Sequence, residues 1–379
     1  MNTKKRFLLI FLSVVMTLYF WSSDVKANSS SLNFVQDNQQ IKKVINDYFE
    51  ARYQSLSKLK PNDFSNLIIE PSNNGEMKKE MEKLALQIFH ADVFQLSYQN
   101  YKFYLDFQET KLNSANDAAI VELTEGCDIV FEISAPEISR IRNIHHTINL
   151  QKDNRDWKIL SDKYEDSLWK AWKLTNLSFD DFRNGIAESK KHLEDPQQIP
   201  VENLQNLKTT TYEIGTYNGL WAAIYADTYF ENYNPDYVDF TGVDCTNFVS
   251  QAMYLGGGAP MEPTYWYYYD VNDRGPAWTG VPQLNYFLVV NKSQYNNGPS
   301  GVYRQSASNL WYGDIIQYDW TNNNEWDHSV IVSTPQSGTG TTLIDSHDAD
   351  LNDVPYTYLM YYYPSQAIRY IHIEYIKYQ

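Results

Sequence analysis

Apolar residues recur at two different spacings in the first half of the chain. Ile41, Val44, Ile45, Tyr48 and Phe49 lie three and four positions apart, which predicts an amphipathic helix. Predicted strands follow at residues 102–107, 119–123, 129–133, 146–150 and 157–160, and turn residues 153–154 join the last two in a hairpin. A helix followed by a meander of strands indicates an α+β roll.

The second half contains one strong helical pattern and three predicted strands. Phe248, Ala252 and Leu255 fall on one face of a helix that begins near Cys245, and the glycines at 256–258 provide a C-terminal stop. Residues 313–318 and 329–333 predict a pair of strands joined by a polar loop, and residues 341–347 predict a third strand.

Composition divides the chain near residue 200. Residues 201–379 hold 24 of the 31 tyrosines but six of the 31 Lys and Arg residues, and the polar stretch before them contains two prolines. We therefore predict a signal peptide at 1–27, an α+β roll at 28–189, a linker at 190–210 and a second α+β domain at 211–379.

The N-terminus predicts export. Three cations at positions 4–6 precede an apolar run over residues 7–21, and small residues Val25 and Ala27 form a cleavage site. The run is too short to span a bilayer comfortably, so stable membrane insertion after cleavage is not expected. Removal of residues 1–27, with four Lys or Arg and one Asp, takes the formal net charge from −16 to −19. Such a charge disfavours nucleic acid and anionic lipid as partners.

Cys127 and Cys245 are the two cysteines of the chain. In an oxidising compartment they either form a disulfide or one of them has a chemical role. Asp244 is a suitable N-cap for the helix that starts at Cys245, and unpaired N–H groups in the first turn favour a thiolate there. The alternatives are that Cys245 is a small buried apolar residue or is bonded to Cys127.

A thiol nucleophile needs a base, and residues 201–379 contain three histidines. His372 alternates with an apolar face and is interpreted as a solvated strand residue. His328 opens a predicted strand and is the candidate base. His347 and Asp345 share one side of the next strand, so either could orient the His328 ring, and we prefer His347.

Two further groups of polar residues are interpreted as structural. The acids at 348, 350 and 353 predict a solvated loop, although a cation could gather there. In the first half, His145 and His146 are adjacent in a predicted strand and point to opposite faces, which makes joint metal binding awkward.

The second half resembles the bacterial "putative amidase" domain, a branch of the papain-like cell-wall hydrolases. The resemblance runs from about residue 216 to the mid-350s. It rests on residues 217–218, 223–226, 233–235, the block Asp-Cys-Thr-Asn-Phe-Val-Ser-Gln at 244–251, 256–257, Trp278, 313–314 and 327–329. It implies a papain-like fold with Cys245 as nucleophile and His328 as general base, and His347 falls where the family has a histidine. Family members usually have Asn-Arg where this chain has Asn218-Gly219. The first half resembles cystatin-like rolls of the nuclear-transport-factor type.

The sequence thus predicts an exported cysteine hydrolase of amide bonds that needs no metal or cofactor. The backbone N–H of Cys245 is the expected oxyanion donor. Trp266, Trp278 and Trp326 are candidates for a groove that binds a peptide or peptidoglycan substrate, with core packing as the alternative. A wall-binding module with a structural Cys245 is the competing function, and transamidation would use the same residues. The oligomeric state is not defined by the sequence.

Overall fold

The computed structural model describes residues 35–71, 75–194, 213–290, 292–361 and 367–379. The predicted signal peptide and residues 195–210 of the predicted linker lie outside these ranges. Within them, no helix combines the length and the apolar character that crossing a membrane requires.

The first half begins with two helices and a meander of four strands. Helix α1 spans residues 35–58 and α2 spans Gly75–Val93; the strands are β1 (Tyr98–Leu112), β2 (Ala118–Phe131), β3 (Ser139–Asp153) and β4 (Asp156–Lys163). The predicted helix and the β3–β4 hairpin are present, because the apolar positions of α1 pack inward and Asn154 adopts the positive φ of a tight turn. The strands predicted at 119–123 and 129–133 form one long strand that ends at Phe131, because residues 132–133 belong to a 3-10 helix. The strand is continuous between the two predicted segments because β1 pairs with it across Gly126 as well.

Two helices of the roll, α3 (Ser167–Thr175) and α4 (Phe179–Glu194), follow β4. The side chain of Asp166 accepts a hydrogen bond from the Trp169 N–H and so caps α3. Because α4 extends to Glu194, residues 190–194 belong to a helix and not to the predicted linker.

The second half contains short helices around a sheet. Its helices are α5 (Gly219–Tyr229), α6 (Cys245–Gln251, continued as a π-helix at Ala252–Gly256), α7 (Pro276–Thr279), α8 (Val281–Asn285, continued as a π-helix at Tyr286–Val290) and α9 (Gln336–Thr339). Its strands are β5 (Glu213–Gly215), β6 (Tyr268–Asp270), β7 (Asp273–Arg274), β8 (Gly298–Arg304), β9 (Ile315–Asp319), β10 (His328–Thr334), β11 (Leu343–Ser346), β12 (Asp350–Pro355) and β13 (Ala367–Tyr378).

One sheet of 11 strands runs through both halves, in the order β1-β2-β3-β12-β11-β10-β9-β13-β5, with β4 paired to β3 and β8 paired to β13. The halves join where β12 pairs antiparallel with β3, with Asp350 opposite Arg142 and Asn352 opposite Arg140. This pairing ties the end of β11 and the start of β12 to the roll. Together with the helices, the sheet confirms the predicted α+β class.

Two apolar clusters cover the two faces of the second half of the sheet. Strand residues alternate between faces, so Ile316, Val330 and Val332 join the cluster that fills the roll. Ile315 and Ile331 join the cluster under α5, α6 and α8. The catalytic candidates therefore lie between a helix layer and a sheet that the roll supports.

The interior of the roll contains a buried charge network centred on His146. Its Nδ1 lies 2.7 Å from Asp162 and its Nε2 lies 3.0 Å from Glu125. The Arg52 guanidinium also donates to Asp162, at 3.1 Å. His145 points to the opposite face, beside Thr124, as strand alternation predicts. Burial lowers the pKa of His146, but the charges of Asp162 and Glu125 outweigh it and raise the pKa to about 9.

We expect this network to make stability depend on alkaline pH. The pKa of His146 in the folded protein lies above the unfolded value of about 6.5. The free energy of unfolding gained from this shift, roughly 3 kcal/mol, is complete below pH 6.5 and is lost as the pH rises through about 9. Urea unfolding of wild type and His146→Gln at pH 6, 7.5 and 9.5 measures this. The variant should be destabilised most at pH 6, and His145→Gln should behave as wild type. An equal pH dependence in wild type and His146→Gln would contradict the prediction.

Candidate functional site

Three chemically reactive side chains meet where α6, β10 and the β11–β12 turn converge. The sulfur of Cys245, one ring nitrogen of His328 and one carboxylate oxygen of Asp348 all lie within 4.8 Å of one another. The fold thus brings together the two residues that the sequence singled out as nucleophile and base. It adds a carboxylate that the sequence analysis had assigned to a solvated loop.

The positions of Cys245 and His328 follow from packing between α6 and β10. Phe248 and Val249 are fully buried beneath the helix, and the Thr246 hydroxyl donates to the Ser329 hydroxyl at 3.0 Å. Gln317 on β9 also donates to that hydroxyl, at 2.9 Å. These bonds hold the first turn of the helix against the start of the strand.

The His328 ring is oriented by an aromatic contact. It stacks on the Trp320 indole with ring centroids 5.3 Å apart and planes inclined by 19°. Trp320 is itself fixed by a hydrogen bond from its Nε1 to the Leu359 carbonyl, at 3.0 Å. Trp320 therefore acts as a positioning residue for the imidazole.

Asp348 binds the start of α6. Its Oδ2 accepts the backbone N–H of Cys245 at 3.0 Å, and its own backbone has φ +69°, in the left-handed region. The predicted cap, Asp244, precedes the helix but bonds elsewhere: its Oδ1 accepts from the Phe240 N–H at 3.0 Å and from the Asn247 amide at 2.8 Å. Asp348 thus satisfies the N–H that was expected to be free for an oxyanion.

The prediction that His347 or Asp345 orients His328 is wrong. His347 Nδ1 lies 2.6 Å from Asp244 Oδ2, and its Nε2 lies 3.0 Å from the Tyr229 carbonyl. Its ring is stacked between Tyr233 and Phe248, at 3.6 and 3.9 Å. His347 lies beyond the end of β11, under the helices, where it fixes Asp244.

Asp345 is directed to the neighbouring hairpin. It stands opposite Ile331, three residues along β10 from His328. Its Oδ1 accepts from the Asp353 N–H at 2.7 Å and from the Asn352 amide at 3.3 Å. His347 and Asp345 therefore face the same side of the strand, as alternation predicts. That side is occupied by β12 and the helices, so both side chains bond there and not to His328.

The protonation states of Cys245 and His328 differ from the prediction of a stabilised thiolate. Cys245 is 4% exposed. Burial, followed by the charge of Asp348, raises its thiol pKa to about 12 against the opposing bonds from the Ser329 N–H and the Thr246 hydroxyl. Burial, followed by the charge of Lys170, lowers the pKa of His328 to about 3. The resting pair is therefore a neutral thiol and a neutral imidazole, because desolvation outweighs the helix N-terminus.

A cavity of about 750 Å³ lies between the roll and the second half, and Asp348 lines it. The roll contributes Arg142 and Lys170 to its wall, and the second half contributes Glu231 and Tyr233. Asp348 belongs both to this cavity and to the cluster with Cys245. Access to the sulfur from the cavity therefore passes this carboxylate.

The tryptophans proposed to line a groove have other roles. Trp266 and Trp278 are fully buried, and their Nε1 atoms donate to Ser250 at 2.9 Å and to Asn247 at 2.8 Å. They belong to the core, so the groove prediction is wrong for both. Trp326 is half-buried, with the Arg369 guanidinium 3.6 Å above its ring. It does not line the cavity beside Asp348.

The remaining thiol and imidazole lie in structural settings. Cys127 and Cys245 are both free thiols, which contradicts a disulfide between them. His372 Nδ1 lies 2.8 Å from an Asp314 carboxylate oxygen, so this residue is hydrogen-bonded to the protein rather than merely solvated.

The cluster of Cys245, His328 and Asp348 also has the donor types of a zinc site. However, Asp348 already accepts a backbone N–H, and Lys170 exerts a positive charge on all three residues. This environment favours an anion over a divalent cation. The expectation that no metal is needed stays a prediction.

The departure from the family pattern at Gly219 has a structural counterpart. A Cβ at this position would lie 1.9 Å from the Tyr312 carbonyl oxygen. The start of α5 therefore approaches the segment before β9 too closely for the arginine that family members carry there.

Comparison with known proteins supports the assignment of the second half. Residues 216–371 match the family described as "Putative amidase domain", which confirms the resemblance predicted from the sequence. Over 126 residues the chain is 30% identical to "Uncharacterized protein YhbB" of Bacillus subtilis (strain 168), covering 32% of this chain and 39% of that protein. Over 194 residues it is 27% identical to "Uncharacterized protein YjcM" of the same organism, covering 49% and 43%. The chain spans less than half the length of either relative.

Solved structures match about a third of the chain at low TM-scores. An NTF2-like superfamily protein from Salmonella enterica subsp. enterica serovar Typhimurium str. LT2 is 14% identical with a TM-score of 0.25, covering 34% of this chain and 90% of that chain. The intermembrane space region of the chloroplast protein ARC6 is 10% identical with a TM-score of 0.24, covering 33% and 94%. The description of the roll therefore rests on its own helices and strands.

Neutralising Asp348 should make Cys245 more reactive. The Asp348 charge raises the thiol pKa, so Asp348→Asn should lower it and speed alkylation at neutral pH, on the order of tenfold for a one-unit fall. The measurement is the rate of modification by iodoacetamide between pH 6 and 10, localised to Cys245 by peptide mass spectrometry. Asp350→Asn is the matched control, because that carboxylate binds Tyr233 and Asn143 instead. A rate that is unchanged or slower in Asp348→Asn would refute this account of the thiol.

Proposed function

We propose that this protein is an exported cysteine hydrolase of amide bonds, with Cys245 as nucleophile and His328 as general base. The observation that carries the proposal is the approach of the Cys245 sulfur, a His328 nitrogen and Asp348 to within 4.8 Å beside a cavity. The match of residues 216–371 to an amidase family supports amide hydrolysis as the reaction class.

The neutral state of the pair favours general-base catalysis over a preformed ion pair. As the sulfur attacks the amide carbon, His328 takes the thiol proton and then delivers it to the leaving amine, which gives a thioester. Water, deprotonated by the same imidazole, then adds to the thioester, and the carboxylic acid leaves as the thiol is reformed. Burial keeps the His328 ring neutral, so one ring nitrogen is free of a proton, but the lowered pKa makes it a weak base until substrate binding changes its surroundings.

Stabilisation of the tetrahedral intermediate requires Asp348 to yield its hydrogen bond. The Cys245 N–H is the oxyanion donor in this mechanism, and in the resting protein it is bound to the Asp348 carboxylate. The substrate carbonyl oxygen replaces this carboxylate as Asp348 turns away from the helix. The Ser329 N–H, which bonds the sulfur, holds the nucleophile in place.

The proposed substrate is an extracellular peptide, with cell-wall stem peptides as the leading candidate. Export is proposed from the pattern of residues 1–27. A cavity of about 750 Å³ is large enough for a short extended peptide. The strongly acidic chain argues against nucleic acid as the substrate.

We expect Cys245→Ala and His328→Gln to abolish hydrolysis, with a loss on the order of 10³-fold or more, because both groups act in one step. Residues 28–379 and these variants are incubated with purified peptidoglycan and with a peptide mixture, and new amino and carboxyl termini are identified by mass spectrometry. Cys127→Ala and His372→Gln are matched controls outside the cluster and should stay active. Cleavage that persists in Cys245→Ala would refute the proposal.

A non-catalytic binding module is the second candidate, and the burial of Cys245 favours it. It predicts that the wild type binds peptidoglycan without releasing new termini and that iodoacetamide does not modify Cys245 in the folded protein. Added amines separate hydrolysis from transamidation, because an amine acceptor would appear in the product only in transamidation.

A further inference from the structure

Lys170 is a cation of the roll that lines the cavity beside the catalytic cluster. It lies on α3 and lines the same cavity as Asp348. Its ammonium donates to the carbonyl of Gly242, three residues before Cys245, at 3.1 Å. A residue of the first half is therefore held against the loop that leads into the nucleophile helix.

Other charged roll residues on this cavity wall are paired with protein groups. Arg142 forms ion pairs with Asp128 and, at 3.7 Å, with Glu231. Asp166 pairs with Lys83 at 3.3 Å. Glu165 pairs with Lys173 at 2.9 Å. These charges are neutralised locally, so they offer little to a ligand.

Lys170 differs from these groups. Within the described ranges, no carboxylate lies within 4.0 Å of its ammonium, and its one hydrogen bond goes to a neutral carbonyl. It shares the cavity wall with Asp348 and contacts the loop before Cys245, and its positive charge contributes to the pKa shifts of Cys245, His328 and Asp348. An ammonium that lines the cavity and has no carboxylate partner there favours an anion as its ligand.

We infer that Lys170 binds a carboxylate of the substrate, so that the enzyme selects peptides carrying a free carboxylate close to the scissile amide. This inference rests on the proposed function, because it assigns the anion to a substrate that Cys245 attacks. The roll is then one wall of the substrate site. Lys170 is a specificity-determining residue supplied by that wall.

Two alkylating reagents of similar size, one negatively charged and one neutral, test the inference without a known substrate. Iodoacetate carries a carboxylate and iodoacetamide a neutral amide, and both displace iodide at the Cys245 sulfur. The ratio of their second-order rate constants at Cys245, measured by peptide mass spectrometry on residues 28–379, reports the preference of the site for a carboxylate. The ratio in wild type should fall as sodium chloride is added, because salt screens the ammonium.

Three variants separate charge from structure. Lys170→Met should lower the iodoacetate-to-iodoacetamide ratio on the order of threefold to tenfold, as expected for loss of one nearby charge. Lys170→Arg should keep the ratio near wild type. Lys163→Met, which removes a charge whose ion pair with Glu76 lies outside this cavity, should also leave it unchanged. Thermal unfolding of each variant establishes that the proteins are folded.

The outcomes distinguish failure of the inference from failure of the proposed function. If neither reagent modifies Cys245 in the folded wild type, the proposed function falls, and this inference falls with it. If both reagents modify Cys245 but Lys170→Met has the wild-type ratio, the inference is overturned while the proposed function stands. A ratio in Lys170→Arg as low as that in Lys170→Met also overturns it, because the effect would then not follow the charge.

Discussion

The hydrogen bond from the Cys245 N–H to the Asp348 carboxylate connects the start of α6, the β11–β12 turn and the cavity beside the roll. A charge-assisted bond of this kind contributes on the order of 1.5–3 kcal/mol. That is comparable with the cost of the left-handed backbone at Asp348. The bond also keeps a negative charge next to the sulfur, so it helps to hold the thiol protonated. One contact thus fixes the turn and sets the chemical state of Cys245.

The turn that carries Asp348 is fixed by the roll as well as by its own hairpin. Arg140 donates to Asn352 at 2.6 Å, and Asn143 donates to Asp350 at 2.6 Å. The Ser139 hydroxyl donates to the Asp353 carbonyl at 2.6 Å. Because these bonds accompany the pairing of β3 with β12, the first half is part of the scaffold of the site and not an appended module.

The sequence predicted the elements whose pattern is local. The apolar spacing of α1, the β3–β4 hairpin and the pairing of β9 with β10 all follow from residues close in the chain. The approach of Cys245 to His328 was foreseen because few histidines were available and one opened a strand. The role of Asp348 was missed, since it depends on a left-handed turn and on a helix 103 positions away. The sequence signal for Asp348 was the position of an acidic residue directly after a buried strand and a histidine.

The remaining errors share a cause, which is that burial cannot be read from residue type alone. His347 and Asp244 form a fully buried pair, although Asp is usually exposed and His is intermediate in burial. Trp266 and Trp278 are also buried, and their indole N–H groups are satisfied by polar side chains of α6. The helix N-terminus favours a thiolate, but the desolvation of Cys245 is larger and reverses the direction.

In the proposed mechanism the resting hydrogen bond favours the transition state over the bound substrate. A neutral amide oxygen is a weaker acceptor than the carboxylate of Asp348, so exchange at the Cys245 N–H gains little in the ground state. The oxyanion of the tetrahedral intermediate carries a full charge and replaces the carboxylate on equal terms. When Asp348 moves away, Lys170 loses a nearby negative charge, and a substrate carboxylate restores it. A substrate without that carboxylate would leave the Lys170 ammonium without a nearby negative charge. The charges of Lys170 in the first half and Asp348 in the second half therefore make the displacement of Asp348 selective.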